Sequence, residues 1–600
     1  MAAFFARIEL AGRAVERERC ERSLDALGRL GADGSRLQLL PGAALGHRHW
    51  WTTPEEVGER QPIERSGLHV LFDGRLDDRA ALAEGSAEPA DRLSDAALVL
   101  AGFRRWGRDL PSRLVGPFAF LVWDERRRLA FAARDRLGDR RLVYRFGGGA
   151  LSIATHERAL LADPETSAEP DERTAARYFA YRAPSLHETW YREIRELPPG
   201  HCLTAGEEGV SVWRYGDVRG VAWTPRDEQE AAERFREVLG EAVRCRLRTA
   251  VPDRRPAVLM SGGLDSTSVV ALAAGAGAAR PIPVSWTFDE LVACDERRYS
   301  EPVVRALGLG PRTVVGDASS PLADPERLAG TPEQPGRDLY DALLRDALRE
   351  ARAAGAGCAL TGHHANQLWE GGDLWLRDLL ARRRLGEAAM RLGRVMRSED
   401  DGSRAPARRA LAAVARAAGW RGRAERVPPW LTPYARELVS RSPSEARWRD
   451  QQRGWWGPLR PYWTVEAARL RLLGAEAGVE VRMPYRDRRV IELVLGLPAD
   501  LLDGPRAPRR LHRAAMRGAL PEAVRRRRRP TNIYLWAERS LLGADRKRFF
   551  ALLDEGERHW SRFVDRNRLL GDLRDSPRSA TVHLAWRCIG FSLWSLRSSW

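Results

Sequence analysis

The chain has 600 residues, of which 44% are hydrophobic, 8% aromatic and 30% charged; that length and balance predict a folded protein of more than one domain and exclude a disordered one. A net charge of +17 makes nucleic acid the first partner to consider, but acidic residues are interleaved with the basic ones, the densest run is only Arg525–Arg529, and Lys547 is the single lysine, so no nucleic-acid partner is expected. No apolar run approaches the roughly 18–20 residues of a membrane span, and the apolar part of the opening MAAFFARIEL is too short for a secretory signal, which points to the cytoplasm and to no membrane partner.

Residues 1–215 read as short strands, among them HVLFDG, FAFLVWD, LAFAARD and ALSIAT, ended by Gly, Asp or Arg, with helices expected near Ser94–Trp106 and Asp171–Tyr181. Strand-rich with few helices predicts a layered α+β domain. Leu197–Asp217 is expected to supply a final edge hairpin and a linker. A second domain, 216–600, opens with a helix over Thr224–Arg248, where Phe235, Val238, Leu239 and Val243 fall at helical spacings. From Pro256 the pattern alternates: strand PAVLM, turn SGGLDS, helix TSVVALAAGAG, strand PVSWTF, helix YSEPVVRALGL with Pro302 in its first turn, strand RTVVG, helix Leu339–Ala354 and strand CALTG (Cys358–Gly362). Such alternation predicts a doubly wound parallel α/β sheet. The rest, from Gly371, is expected to be mostly helical, with helix stops at PPWLTP and GPLRPYW.

Cys20, Cys202, Cys245, Cys294, Cys358 and Cys588 are too scattered for a zinc site or a disulfide framework and read as buried thiols. Lys547, in ADRKRFF, has no Walker-type glycine context and no setting for covalent lysine chemistry. The chemistry concentrates in Ser261–Ser266. A strand would deliver SGGLDS to the carboxyl edge of the sheet, where ligands bind. Gly262 and Gly263 would free the backbone to converge its N–H groups on an oxyanion; Ser261, Ser266 and Thr267 would add hydroxyls, and the helix behind Leu264 would point its positive end at the same spot. Asp265, an anion among phosphate oxygens, makes sense if Mg²⁺ bridges it to them.

On these residues the chain resembles the asparagine synthetase superfamily. Arg113–Tyr144 (RLVGPFAFLVWDERRRLAFAARDRLGDRRLVY), HVLFDGRLDD and ELPPGH are similar to its glutaminase domain, an Ntn-type sandwich; SGGLDS, CDERRYSEPVVRALGL, ALTGHHANQLW, VRMPYRDRRVIELVLGLP and LPEAVRRRRRP follow its ATP-pyrophosphatase-type synthetase domain in order. The departures matter equally. The superfamily's nucleophilic cysteine at the mature N-terminus has no counterpart beside Ala2 and Ala3, and RHWWTTPEE stands near the place of its glutamine-holding stretch, so the first domain is expected to be catalytically inactive. SGGLDSTSVVALAA, CDERRYSEPVV, TPEQP (Thr331–Pro335) and PPWLTP resemble the branch of lasso peptide cyclases.

That resemblance implies the roles of further residues. Val258, Leu259 and Met260 would offer backbone groups to adenine, with Ser285, Trp286 and Thr287 flanking it; Trp286 would stack on the base or belong to the core. Gly362 would line the ATP site. Asn366 would take the place of the family's second metal aspartate, with His363 at that of its glutamate. Arg529, with Arg528 as competitor, would stand for the lysine that steadies the breakdown of the acyl-adenylate, the other reading being an exposed arginine run at a helix end. Asp295 and Glu296 would hold an arginine or orient the substrate amine, or else cap a helix. The implied cofactors are ATP and Mg²⁺, and the implied reaction is AMP-forming closure of a macrolactam in a precursor peptide, with a leader-binding protein and a leader peptidase as partners. The alternatives are an asparagine synthetase-like or β-lactam-type synthetase for a small amino acid, and a non-catalytic scaffold that binds nucleotide or peptide.

Overall fold

The computed structural model describes residues 2–28, 30–84, 88–182, 185–250, 254–277, 280–324, 330–331, 333–369, 376, 379–380, 383–396, 427–440, 451–502, 509–527, 530–575 and 577–597. Its amino-terminal strands are β1 (Ala3–Glu9), β2 (Gly34–Leu40), β3 (Ala43–His49), β4 (Ile63–Arg65), β5 (Leu68–Gly74), β6 (Phe118–Asp124), β7 (Leu129–Arg134), β8 (Val143–Gly147), β9 (Ala150–Ala154), β10 (Arg195–Glu196), β11 (His201–Gly206) and β12 (Gly209–Arg214). They pair as two antiparallel sheets, β10-β8-β9-β1-β3-β2 and β12-β11-β7-β6-β5-β4. Period-two alternation explains the layering. In β1, Phe4, Ala6 and Ile8 enter the core between the sheets with Leu121, Trp123 and Ile153, while Ala3 and Phe5 face outward into a cluster with Tyr178 and Phe179. On the far side, Val70, Phe72, Phe120 and Val122 pack under the helix Asp95–Trp106. The inner strands of both sheets bury both faces, giving a helix–sheet–sheet–helix sandwich. Ser94 caps that helix by accepting the Ala97 N–H, and Asp171 caps Glu172–Phe179 through Thr174.

The second half is built on a parallel sheet of β13 (Ala257–Leu259), β14 (Ile282–Thr287), β15 (Arg312–Val315), β16 (Cys358–Thr361) and β17 (Glu480–Arg482), in the order β15-β14-β13-β16-β17. Val258 and Leu360 face the helices Glu228–Cys245 and Leu264–Ala274; Leu259 and Val284 face Asp341–Ala353 and Gln451–Ala477. This is the doubly wound arrangement. Strand order reverses between β13 and β16, so the segments leaving those strands splay apart and open a crevice at their carboxyl ends.

Several elements differ from the sequence pattern. β17 has no hydrophobic run; its Glu480 and Arg482 are buried instead by pairing with each other and with Arg140. The helix after β13 starts at Leu264 and so takes in the LDS of the loop. The helix Arg297–Ala306 starts early, because Asp295 accepts the Arg297 N–H at 2.7 Å, and Pro302 therefore lies inside it rather than in its first turn. The Gln451–Ala477 helix runs through Pro458 and Pro461 of GPLRPYW rather than stopping there. An interior proline costs about 3 kcal/mol, and the burial of Trp463, Ala467, Leu470 and Leu473 further along offsets it.

Buried ion pairs stitch the halves together. Arg140 lies 3.1 Å from both Asp73 and Glu480, Arg158 forks onto Glu333 at 2.6 and 2.8 Å, and Arg486 pairs with Asp139 and donates to the Leu137 carbonyl. All six cysteines are buried and free of disulfides. No helix among the described residues is long and apolar enough to cross a membrane.

Candidate active site

SGGLDS lies at the mouth of the crevice between β13 and β16. Ser261 N–H donates to Ser266 Oγ at 3.0 Å, Gly263 N–H to Ser261 Oγ at 3.1 Å, and the two hydroxyls are 3.0 Å apart. Among the described residues, the amides of Leu264, Asp265 and Ser266 meet no acceptor, since the first helical bond is made by Thr267 to the Gly263 carbonyl. Three convergent N–H groups at a helix start, flanked by two hydroxyls, fit an anion. Thr267 turns away: its hydroxyl bonds the Gly263 and Leu264 carbonyls inside the helix.

The glycines are needed for a different reason than expected. Neither Gly262 nor Gly263 has positive φ. Gly262 is crowded: a Cβ there would stand 2.7 Å from Tyr299 Cβ and 3.0 Å from the Glu296 carbonyl. Gly362, at the end of β16, has the same reason, with Ser266 N 2.7 Å from where its Cβ would be. Close approach of these backbones narrows the crevice around the loop.

Asp265 is the most heavily supported carboxylate of the site. Arg509 donates to its two oxygens at 2.8 and 2.7 Å and also to Asn366 Oδ1, so the two side chains assigned to a metal are brought together across one guanidinium. Behind them His512 Nδ1 lies 3.5 Å from Asp265 Oδ1, Tyr485 donates its hydroxyl to the Asp265 carbonyl at 3.0 Å, and Ser268 Oγ is 3.0 Å from His512 Nε2. Burial lowers the pKa of His512, against the pull of Asp265. Sequence reading gave no role to Arg509 and His512, which carry no motif, nor to Tyr485, which lies within the family-like stretch VRMPYRDRRVIELVLGLP.

Asp295 and Glu296 separate into two tasks. Asp295 caps its helix and pairs with Arg297. Glu296 accepts the Gly262 N–H at 2.9 Å and pairs with Arg527 at 2.7 Å, whose guanidinium lies 4.1 Å from the centre of the Tyr299 ring. Glu296 thus ties the loop to the arginine run. Glu296→Gln keeps an acceptor for Gly262 but loses a charge-assisted bond worth about 1.5–3 kcal/mol. The expected outcome is roughly tenfold weaker nucleotide binding by calorimetry, together with a lower melting temperature, because buried Arg527 loses the counter-charge of Glu296. Arg528 and Arg529 lie outside the described residues.

Where the resemblance implies the adenine, β13 is hydrogen-bonded on both edges, so the backbone groups of Val258 and Leu259 are committed to β14 and β16, and Met260 N–H goes to the Val284 carbonyl. Strand alternation leaves Ser285 and Thr287 on one face of β14; the Ser285 hydroxyl is buried without a partner among the described residues. Trp286 points the other way, with Nε1 bonded to the Leu343 carbonyl at 2.9 Å. His363 is bonded to Thr361, and His364 is buried against Trp463 with φ +70°.

A separate pocket between the first sandwich and Glu480 is lined by Ala2, His47, His49, Trp51, Asp73 and Arg140, among others, and among the described residues its lining carries no sulfur. His47 donates to the Phe72 carbonyl at 3.1 Å, and burial together with neighbouring His49 lowers its pKa to about 3. A folded pKa below the usual 6.5 means that protons favour the unfolded chain, so stability falls as pH drops from about 6.5 towards 3. His47→Gln should remove that loss, about 3 kcal/mol at pH 4, read as a smaller fall in melting temperature between pH 7 and pH 4.

A family model described as Asparagine synthase matches residues 234–595, and one described as Glutamine amidotransferase domain matches residues 1–216. Asparagine synthetase [glutamine-hydrolyzing] 3 of Bacillus subtilis is 30% identical over 268 residues, 43% of this chain and 43% of that protein. Amidase chyE of Penicillium rubens is 28% identical over 387 residues, 60% and 56%, and Amidase chry2 of Gibberella zeae 30% identical over 394 residues, 61% and 57%. The chain thus spans about half the length of the curated relatives it matches.

Proposed function

The chain belongs to the asparagine synthase family, and from that premise we propose that it is an AMP-forming amide ligase of the lasso peptide cyclase kind, which activates an Asp or Glu side chain of a precursor peptide with ATP and closes a macrolactam on the peptide's N-terminal amine. The observation that carries the choice of amine is the sulfur-free pocket of the first sandwich. Release of ammonia from glutamine there would need a nucleophile, and among the described residues the lining offers imidazoles, carboxylates, indoles, an amide, a guanidinium and the single hydroxyl of Thr52. In this reading the first domain is a silent scaffold for the second.

The chemistry follows from the crevice. The amides of Leu264, Asp265 and Ser266 and the hydroxyls of Ser261 and Ser266 hold the β- and γ-phosphates. The oxygens of Asp265 and Asn366 suit Mg²⁺, which accepts one or two carboxylate or amide oxygens alongside phosphates; when bound it offsets the charge of the departing pyrophosphate. The peptide carboxylate attacks the α-phosphorus, the bond to pyrophosphate breaks, and an acyl-adenylate forms. The amine then attacks the acyl carbon, AMP leaves with the bonding electrons, and the amine loses a proton. Glu296 holds Gly262 and Arg527 in place throughout. Fixing amine and acyl carbon in one cavity replaces a bimolecular encounter, worth up to about 7–11 kcal/mol in well-aligned systems. A leader-binding protein and a leader peptidase accompany this reading, as does a cytoplasmic setting.

The test is to supply ATP, Mg²⁺ and a precursor peptide encoded beside the gene. AMP, pyrophosphate and a product lighter by one water are expected. Release of ADP, or AMP formation from free aspartate and ammonia instead of from the peptide, would sink it.

A further inference from the structure

The space between Asp265 and Asn366 is taken by a side chain of the protein itself. Arg509 Nη1 lies 2.8 and 2.7 Å from the two Asp265 oxygens, and Nη2 donates to Asn366 Oδ1. Its backbone stands at φ 59°, ψ 41°, left-handed for a residue with a side chain, at the N-cap of Arg510–Ala515. That conformation is sparsely populated and persists where the surroundings demand it. Just beyond, the same helix places buried His512 against the same carboxylate.

The charge balance gives this contact a consequence. Asp265 brings one negative charge, Asn366 none, and Arg509 one positive charge, so the group is neutral and already coordinated by a cation of fork geometry. A free divalent ion approaching it meets no net attraction and a guanidinium at close range. A triphosphate bound on the amides of Leu264–Ser266 adds several negative charges beside the same spot and reverses that balance.

We propose that Arg509 is a positioning residue that acts as a resident cation: it holds Asp265 and Asn366 in the arrangement a divalent metal uses and lets the metal enter only together with nucleotide. This rests on the ATP-and-metal reading of the crevice. Arg509 yields its contacts to Asp265 as the metal–nucleotide complex arrives, and its guanidinium turns towards the phosphates. The neutral Asn366 suits such a device, because two carboxylates would bind a free divalent ion too strongly for one arginine to exclude it.

Mn²⁺ serves as the probe, with free ion followed by electron paramagnetic resonance, first alone and then with the non-cleavable analogue α,β-methylene-ATP. The parent protein is expected to bind Mn²⁺ weakly alone and tightly with the analogue. Arg509→Met should bind Mn²⁺ alone roughly tenfold more tightly or better, Arg509→Lys should return it to the weak parental level, and near-ultraviolet circular dichroism should show both variants folded. The proposal is overturned if the parent binds Mn²⁺ equally well with and without the analogue, or if folded Arg509→Met matches the parent when nucleotide is absent. Failure of both proteins to bind the analogue with Mn²⁺, with Asp265→Asn making no difference, would instead remove the ATP reading and this inference with it.

Discussion

Asp265→Asn should stop pyrophosphate release while leaving the protein folded. The substitution keeps the size of the side chain and removes only its charge, in the carboxylate of the SGGLDS loop, which Arg509, His512 and, through its backbone, Tyr485 reach. Loss of one pre-positioned electrostatic group at a reacting phosphate or acyl centre typically costs about 100- to 1000-fold in rate, or roughly 2.7–4 kcal/mol. The cost to folding is far smaller. Arg509 is 27% exposed at its side chain and keeps its bond to Asn366, so the change in stability should stay at about 1 kcal/mol. Single-turnover AMP formation measured beside a thermal melt separates the two effects. A variant that forms AMP at the parental rate would take Asp265 out of the chemistry; one that melts far below the parent would make it a structural residue.

Glu480→Ala should have the reverse signature, a large loss of stability. Glu480 is 5% exposed and sits between Arg140 at 3.1 Å and Arg482 at 2.6 Å, both buried. Arg140 comes from the first sandwich and Glu480 from β17, so the contact crosses between the halves. Removing the carboxylate leaves two buried guanidinium groups short of counter-charge, which typically costs about 3–5 kcal/mol. Burial by itself would raise the pKa of Glu480, but Arg482 and Arg140 outweigh it and hold the value at about 2. A folded pKa below the ordinary carboxylate value means that the contribution is fully present above about pH 4.5 and fades as pH falls towards 2. The gap between variant and parent in urea melts should therefore be wide at pH 7 and much narrower at pH 3. Equal melts at pH 7 would show that the stitch between the halves carries no net energy.

The placement of SGGLDS between a strand and a helix was legible because its signals are local. A short apolar strand, two glycines, hydroxyls and a following helix lie within one stretch of chain, and each acts on its neighbours. The caps at Ser94 and Asp171 were legible for the same reason, a side-chain acceptor three residues before its donor. The support of Asp265 was not. Arg509 reaches it across 244 positions and Tyr485 across 220, and neither lies in a pattern of hydrophobic periodicity or glycine spacing. β17 escaped notice because its buried face is charged: periodicity detects burial through apolar residues, and here paired ions are buried instead.

By itself the sequence determined the two halves of the chain, their layered and doubly wound character, the position of SGGLDS at a strand end and the lack of a thiol beside Ala2, since each depends on residue type and short-range spacing. Only the tertiary structure decided which of Asp295 and Glu296 holds the loop, why Gly262 must lack a Cβ, and that a guanidinium spans Asp265 and Asn366. Those outcomes depend on how strands and helices far apart in the chain close on one crevice, where distance, burial and charge balance are set by packing rather than by neighbours along the backbone.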